Sequence, residues 1–176
     1  MMQVVARAPD DADDVAREGL VDLYREHYAS LVRLAALLVH DVATAEDVTQ
    51  DAFAKVHLAW GRIREPEKAL AYVRSAVLNG ARSHSRHLHV VDRHRPEPPR
   101  HTQSAEAGAM AGEEHREVIA ALRALPVRQR ECLALRYYLG LSEAEIAETL
   151  GISAGSVKTH AHRGLAALEK TLEASA

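Results

Sequence analysis

Between His89 and Gly112 the apolar periodicity of this chain stops. The stretch opens with Val90-Val-Asp-Arg-His-Arg-Pro-Glu-Pro-Pro-Arg100, three prolines in four residues, and continues through the small polar run Gln103-Ser-Ala-Glu-Ala-Gly108. Proline lacks a backbone donor and clashes with the preceding helical turn, so no helix runs through this segment. It reads as a flexible linker, extended where proline-rich, that divides the chain into two bodies. On either side the apolar residues recur at three-and-four spacing, which predicts helices. Alanine dominates the apolar 47%, with 9 glycines and 6 prolines in 176 residues, and alanine is the strongest helix former. The expected fold is therefore all-α: two small helical domains, residues 19–88 and 113–176, joined by the linker at 89–112.

Several classes are excluded at once. With 27% charged residues the composition is globular and not disordered. The longest apolar run, Leu34–Val39, falls far short of the roughly 18 residues of a membrane span, so no membrane association is expected. Residues 1–18 carry five acidic side chains and no apolar signal core; they read as a flexible acidic terminus, and secretion is not expected. A single cysteine, Cys132, rules out an internal disulfide framework and fits a reducing cytoplasm. It reads as a small buried apolar residue and not as a nucleophile.

The net charge of −3 hides an asymmetry. Residues 1–61 carry 5 basic against 11 acidic side chains, residues 62–101 carry 9 against 4, and residues 102–176 carry 8 against 10. A basic middle on an acidic chain points to a local polyanion site. Of the 22 basic residues 18 are arginine, whose planar fork suits phosphates and guanine edges.

In the first body, Leu20, Leu23, Tyr24, His27, Tyr28, Leu31, Leu34, Ala35 and Leu38 predict one long amphipathic helix. Thr44-Ala-Glu-Asp47 is a capping-box-like start for a second, with Val48, Ala52, Val56, Ala59 and Trp60 on its apolar face. Gly61 ends it, and Arg62 to Lys68 reads as a loop. A third helix over 67–87 places Leu70, Val73, Val77 and Ala81 inward, and Arg74, Asn79, Arg82, Ser83 and Arg86 on the other face. Gly80 in its middle is expected to cost about 1 kcal/mol relative to alanine. In the second body, Val118, Ala121, Leu122 and Leu125 stripe a helix from Glu113. Pro126 opens another, over 127–139, which Gly140 closes.

The strongest local signal is Leu141-Ser-Glu-Ala-Glu-Ile-Ala-Glu-Thr-Leu-Gly-Ile-Ser-Ala-Gly-Ser-Val-Lys-Thr-His160, a helix-turn-helix pattern. Ser142 and Glu145 form a capping box, Gly151 supplies the left-handed turn, Ser153 caps the second helix, and Ile146, Ile152 and Val157 pack inward. Ser156, Lys158, Thr159, His160, His162 and Arg163 remain as donors on a helix sized for the major groove.

Ala43-Thr-Ala-Glu-Asp-Val-Thr-Gln-Asp-Ala-Phe53, Trp60 and Ala71-Tyr-Val-Arg-Ser-Ala-Val-Leu-Asn79 resemble the second domain of extracytoplasmic-function sigma factors. Leu125-Pro126 and Arg128-Gln-Arg-Glu-Cys-Leu-Ala-Leu-Arg-Tyr137, leading into the helix-turn-helix, resemble the fourth domain of that family. The alanine- and arginine-rich composition is similar to that of its actinobacterial members. The resemblance implies an alternative sigma factor of the sigma-70 family: an initiation factor and not an enzyme, needing no cofactor. Asp47, Gln50, Asp51 and Phe53 match the surface that grips the clamp coiled coil of the largest polymerase subunit, with Phe53 expected as an exposed aromatic. The second body matches the module that meets the flap of the second-largest subunit. Arg62, Arg64 and Lys68 lie in the loop that matches the minus-ten base pocket. Asn79 matches the asparagine beside that pocket, and Arg74, Arg82 and Arg86 lie along the strand path. The recognition helix residues match the minus-thirty-five reader. An anti-sigma protein is a further partner that the resemblance leaves open.

Two other readings stay open on the residues. A response-regulator-like transcription factor shares the Val-Lys-Thr-His pattern but requires a strand-bearing receiver domain, of which residues 1–110 show no sign. A helical metalloenzyme would draw on His84, His87, His89, His94 and His101, yet no Cys pair or His-Glu-x-x-His pattern accompanies them, so no metal is expected.

Overall fold

The computed structural model describes the backbone at residues 9–60, 63, 65, 68–93 and 112–174, and side chains over 18–60, 63, 65, 68–87, 112 and 115–174. These residues form seven α-helices and no strand: α1 (Pro9–Leu38), α2 (Val42–Ala59), α3 (Ala69–Arg93), α4 (Glu113–Ala124), α5 (Val127–Leu133), α6 (Glu143–Leu150) and α7 (Ala154–Glu173). The prolines of the expected linker, and the loop residues Arg62 and Arg64, lie outside them.

In the first body α2 packs against both α1 and α3. Leu31, Leu34, Ala35, Val73, Val77 and Leu78 are fully buried at its centre. Asp41, not Thr44, caps α2: its carboxylate accepts from the Thr44 backbone N–H at 2.8 Å and from the Thr44 hydroxyl at 2.7 Å. Gly80 has a packing reason. A Cβ there would come within 2.9 Å of Val48 Cγ1, so the glycine lets α3 approach α2.

Helix α1 begins at Pro9, eleven residues before the apolar stripe that opens at Leu20. Its first turns are acidic and opened by Pro9, both favourable at a helix N-terminus even without an apolar face. Helix α3 runs to Arg93, into the segment expected as linker. The helix expected over 127–139 is α only to Leu133, and Ala134–Tyr138 forms a π-helical turn closed by Leu139 N–H to Ala134 O at 3.3 Å.

The second body packs α5 and α6 against α7. The two bodies also meet each other, and their buried apolar residues form one contiguous cluster. Arg123 Nη2 donates to Ala36 O at 2.7 Å, Arg33 Nε to the Tyr138 hydroxyl at 2.9 Å, and Ser75 Oγ to Thr149 O at 3.1 Å.

Candidate nucleic-acid and polymerase interfaces

The helix-turn-helix is built as its residues dictate. Ser142 Oγ accepts from Glu145 N–H at 3.2 Å while the Glu145 carboxylate accepts from Ser142 N–H at 2.9 Å, which satisfies two N-terminal donors of α6. The Ser142 hydroxyl also donates to Glu145 Oε2 at 2.7 Å, and this bond, with that from the Ser142 N–H, holds the Glu145 carboxyl below its usual range. Gly151 ends α6 at φ 63°, the left-handed region that resists a side chain. Ile146 and Val157 are fully buried and fix the two helices against each other. Ser153 Oγ then caps α7, accepting from Ser156 N–H at 3.1 Å.

On α7, Lys158, Thr159, His162 and Arg163 are exposed, and Ser156 and His160 are half-buried. Two of these hydroxyls face their own helix: Ser156 shares a hydrogen bond with the Ser153 hydroxyl at 2.9 Å, and Thr159 donates to Gly155 O at 2.9 Å. Lys158, His162 and Arg163 are left as the outward-reaching cationic or imidazole groups.

On α2, Asp47, Gln50 and Asp51 are exposed along one face, but Phe53 is not the exposed aromatic expected of it. Its ring is 6% exposed, edge-on to Tyr24 at 4.9 Å and tilted against Tyr28 at 6.3 Å. The aromatic stripe of α1 covers it. The exposed ring is Tyr24, 41% exposed and stacked on Tyr28 at 4.6 Å, which sequence reasoning assigned to the core stripe. Tyr24, Phe53, Leu20, Val21 and His57 line an open cleft of about 440 Å³ between α1 and α2.

The basic face of α3 is partly covered. Lys68 is exposed and paired with Glu65 at 2.6 Å, and Arg86 is exposed. Arg74 is half-buried; desolvation pushes its guanidinium down while Glu145 of the second body opposes the shift. Asn79 is exposed, and its Oδ1 accepts from Arg82 Nη1 at 3.0 Å. Arg82 also pairs with Glu131 of α5, through Nε to Oε1 and through Nη2 to Oε2 at 2.9 Å. Glu131 is 1% exposed, and Arg128 Nη1 lies 3.3 Å from its Oε2. Sequence reasoning missed Glu131, because in an amphipathic helix a lone glutamate reads as solvent-facing.

Cys132 is fully buried, and burial pushes its thiol up to about 11, which keeps it protonated and unreactive. His89, His94 and His101 lie outside the residues whose side chains are described, and among the described residues no three His, Cys, Asp or Glu side chains group closely enough to hold a metal ion. Among those residues no helix is long and apolar enough to cross a membrane.

Comparison with known proteins places this geometry. The sigma-70 region 2 family matches residues 23–89 and the sigma-70 region 4 family matches residues 115–168. RNA polymerase sigma-E factor of Streptomyces coelicolor is 33% identical over 156 residues, covering 85% of this chain and 84% of its own. ECF RNA polymerase sigma factor SigL of Mycobacterium tuberculosis is 34% identical over 161 residues, covering 86% and 87%. Among solved structures, CnrH in complex with the cytosolic domain of CnrY superposes with a TM-score of 0.70 at 22% identity, over 92% of this chain and 96% of CnrH. The sigma factor RpoE of Bartonella quintana, in complex with the anti-sigma factor NepR, superposes at 0.60 and 22% identity, over 86% and 97%. With both family regions in order and relatives above 30% identity along most of its length, the chain belongs to the extracytoplasmic-function sigma factors of the sigma-70 family and directs promoter-specific transcription by RNA polymerase.

Proposed function

We propose that this sigma factor divides promoter recognition between α7 and α3, and joins core polymerase through α2 and the second body. The observation that carries the reading is the face of α3. At 100° per residue, Arg74, Asn79, Arg82 and Arg86 fall within an arc of about 140°, so one side of a single helix offers three guanidinium groups and an amide. That combination suits a single strand, whose phosphates need charge and whose unstacked base needs a hydrogen-bonding edge. Asn79 reads a minus-ten base, while Arg74, Arg82 and Arg86, with Lys68, Arg62 and Arg64 from the preceding loop, follow the backbone.

In the second body, α7 enters the minus-thirty-five major groove, where Lys158, His160, His162 and Arg163 contact bases and phosphates and Ser156 and Thr159 sit at the groove-facing end. Asp47, Gln50 and Asp51 offer carboxylates and an amide to the clamp coiled coil of the largest subunit, with Tyr24 beside Phe53 as the apolar component. The second body meets the flap of the second-largest subunit. The chain performs no covalent chemistry of its own and works in the cytoplasm. An anti-sigma protein, by analogy with the RpoE–NepR complex, is its regulator.

Run-off transcription with core polymerase on promoter variants tests the division of labour. Asn79→Ala should lower open-complex formation in a manner that depends on the minus-ten base, with polymerase binding intact and no rescue by a pre-melted bubble. Arg163→Ala should weaken all promoter variants alike and reduce the salt slope by about 0.9, the loss of one phosphate contact. Equal effects of both variants on every promoter would show reader and anchor to be misassigned.

A further inference from the structure

Glu131 is the most deeply buried acidic side chain among the described residues, at 1% exposure. Carboxylates are almost never so buried without a cation, and its principal cation belongs to the other body. Arg82 approaches it in the two-pronged geometry, with Nε on Oε1 and Nη2 on Oε2. Its remaining amine Nη1 donates to Asn79 Oδ1 at 3.0 Å. Arginine grips carboxylates and phosphates with the same fork. While Glu131 holds Nε and Nη2, neither can hold a phosphate. The same contact engages the carbonyl of Asn79.

We infer that the Glu131 carboxylate is an intramolecular stand-in for a backbone phosphate of the melted promoter strand, and that it keeps the free chain closed and its strand-binding face occupied. The inference rests on the strand-binding role proposed for α3 and names how that role is regulated. Closure is supported along the same seam by Ser75 on Thr149 O, by Arg123 on Ala36 O, and by the hydrogen bonds joining Arg33, Tyr138 and Ser30. Freed of Arg82 while still buried, Glu131 would keep, among the described residues, one hydrogen bond, from Arg128 Nη1 at 3.3 Å, with Arg130 acting on it through charge only. Release of Arg82 is therefore coupled to separation of the bodies, which lets water reach the carboxylate. A strand of DNA and a partner that pulls the bodies apart thus act in the same direction.

The experiment uses the full chain in three forms, wild type, Glu131→Gln and Arg82→Gln, with circular dichroism as the check on folding. Small-angle scattering reports closure, and anisotropy of a labelled single-stranded DNA oligonucleotide reports strand affinity. Both variants should expand. Strand affinity should rise on the order of tenfold in Glu131→Gln, as when a chain about nine-tenths closed is released. It should not rise in Arg82→Gln, where the receiving fork is gone; a merely structural pair would move both variants alike. Compact variants, or an unchanged strand affinity in an expanded Glu131→Gln, would overturn the inference.

Wild-type protein supplies an arm independent of variant folding. Saturating oligonucleotide should expand it and lower hydrogen-exchange protection across α5. Strand binding with the chain still compact would overturn the inference, as would no strand binding in either wild type or Glu131→Gln. The promoter reading fails on a separate readout, the absence of run-off by wild type with core polymerase.

Discussion

Replacing Gly80 by alanine sets two known effects against each other. Alanine in a helix interior is worth about 1 kcal/mol over glycine, so helix propensity alone makes Gly80→Ala stabilising. The structure argues for the opposite sign. The new Cβ would stand 2.9 Å from Val48 Cγ1, closer than carbon atoms pack, with Val48 Cβ and Cγ2 both at 3.8 Å. Val48 is 9% exposed, and a valine in a helix has one strongly preferred rotamer, so it cannot swing aside cheaply. Overpacking of this kind costs about 1–3 kcal/mol, which leaves Gly80→Ala about 1 kcal/mol less stable than wild type. Truncating Val48 to alanine in the wild-type background removes two buried methyls, a loss of about 1.6 kcal/mol at about 0.8 each. In the Gly80→Ala background the same truncation also relieves the clash, so its cost should fall by about 1–2 kcal/mol, and that difference is the coupling energy of the cycle. Urea unfolding followed by tryptophan fluorescence measures it within the right body, since Trp60 is the single tryptophan. A stabilising Gly80→Ala, or additive effects, would refute the packing account and leave Gly80 as a plain helix defect.

Asp41→Ala should cost about 1 kcal/mol at pH 7, the usual value of an N-cap. Burial pushes the Asp41 carboxyl up, but the Thr44 hydrogen bonds and the neighbouring His84 and His40 outweigh it and hold the group below its ordinary value. Its contribution is therefore present above the unfolded-state value and is lost as pH falls through the lower folded-state value, so the gap in urea midpoint between variant and wild type should close in that acid window; a gap constant to pH 3 would refute the assignment. Cys132, buried and shifted up to about 11, should resist a thiol reagent at pH 8 in native protein and react within minutes in urea, and rapid native labelling would contradict the burial.

What was legible in the sequence was what is local. The Ser142–Glu145 box, Gly151 and Ser153 each act within a few residues, and each stands where pattern reasoning put it. Asp41 was missed because Thr44 is an equally good capping residue by type, and only the path of the chain decides which of the two precedes the first turn. The early start of α1 had no apolar stripe to announce it. The burial of Phe53 and the close approach at Gly80 are contacts between helices, and no spacing within one helix reports them.

The candidate site divides along the same line. The basic face of α3 is a property of one helix and could be read directly; its pairing with Glu131 depends on how two bodies separated by a long segment meet. Had the bodies stayed apart, Arg82 would be a solvated cation and Glu131 a solvated anion, and the pair would contribute little. Brought together, they bury a carboxylate at 1% exposure, where its partner cannot be withdrawn without moving a whole domain. This also accounts for the charge pattern. An acidic chain with a basic middle is repelled by DNA at long range, and where its middle is attracted, part of that attraction is already satisfied by its own Glu131. Tight promoter binding then requires the polymerase, which adds phosphate contacts and can separate the two bodies by binding each.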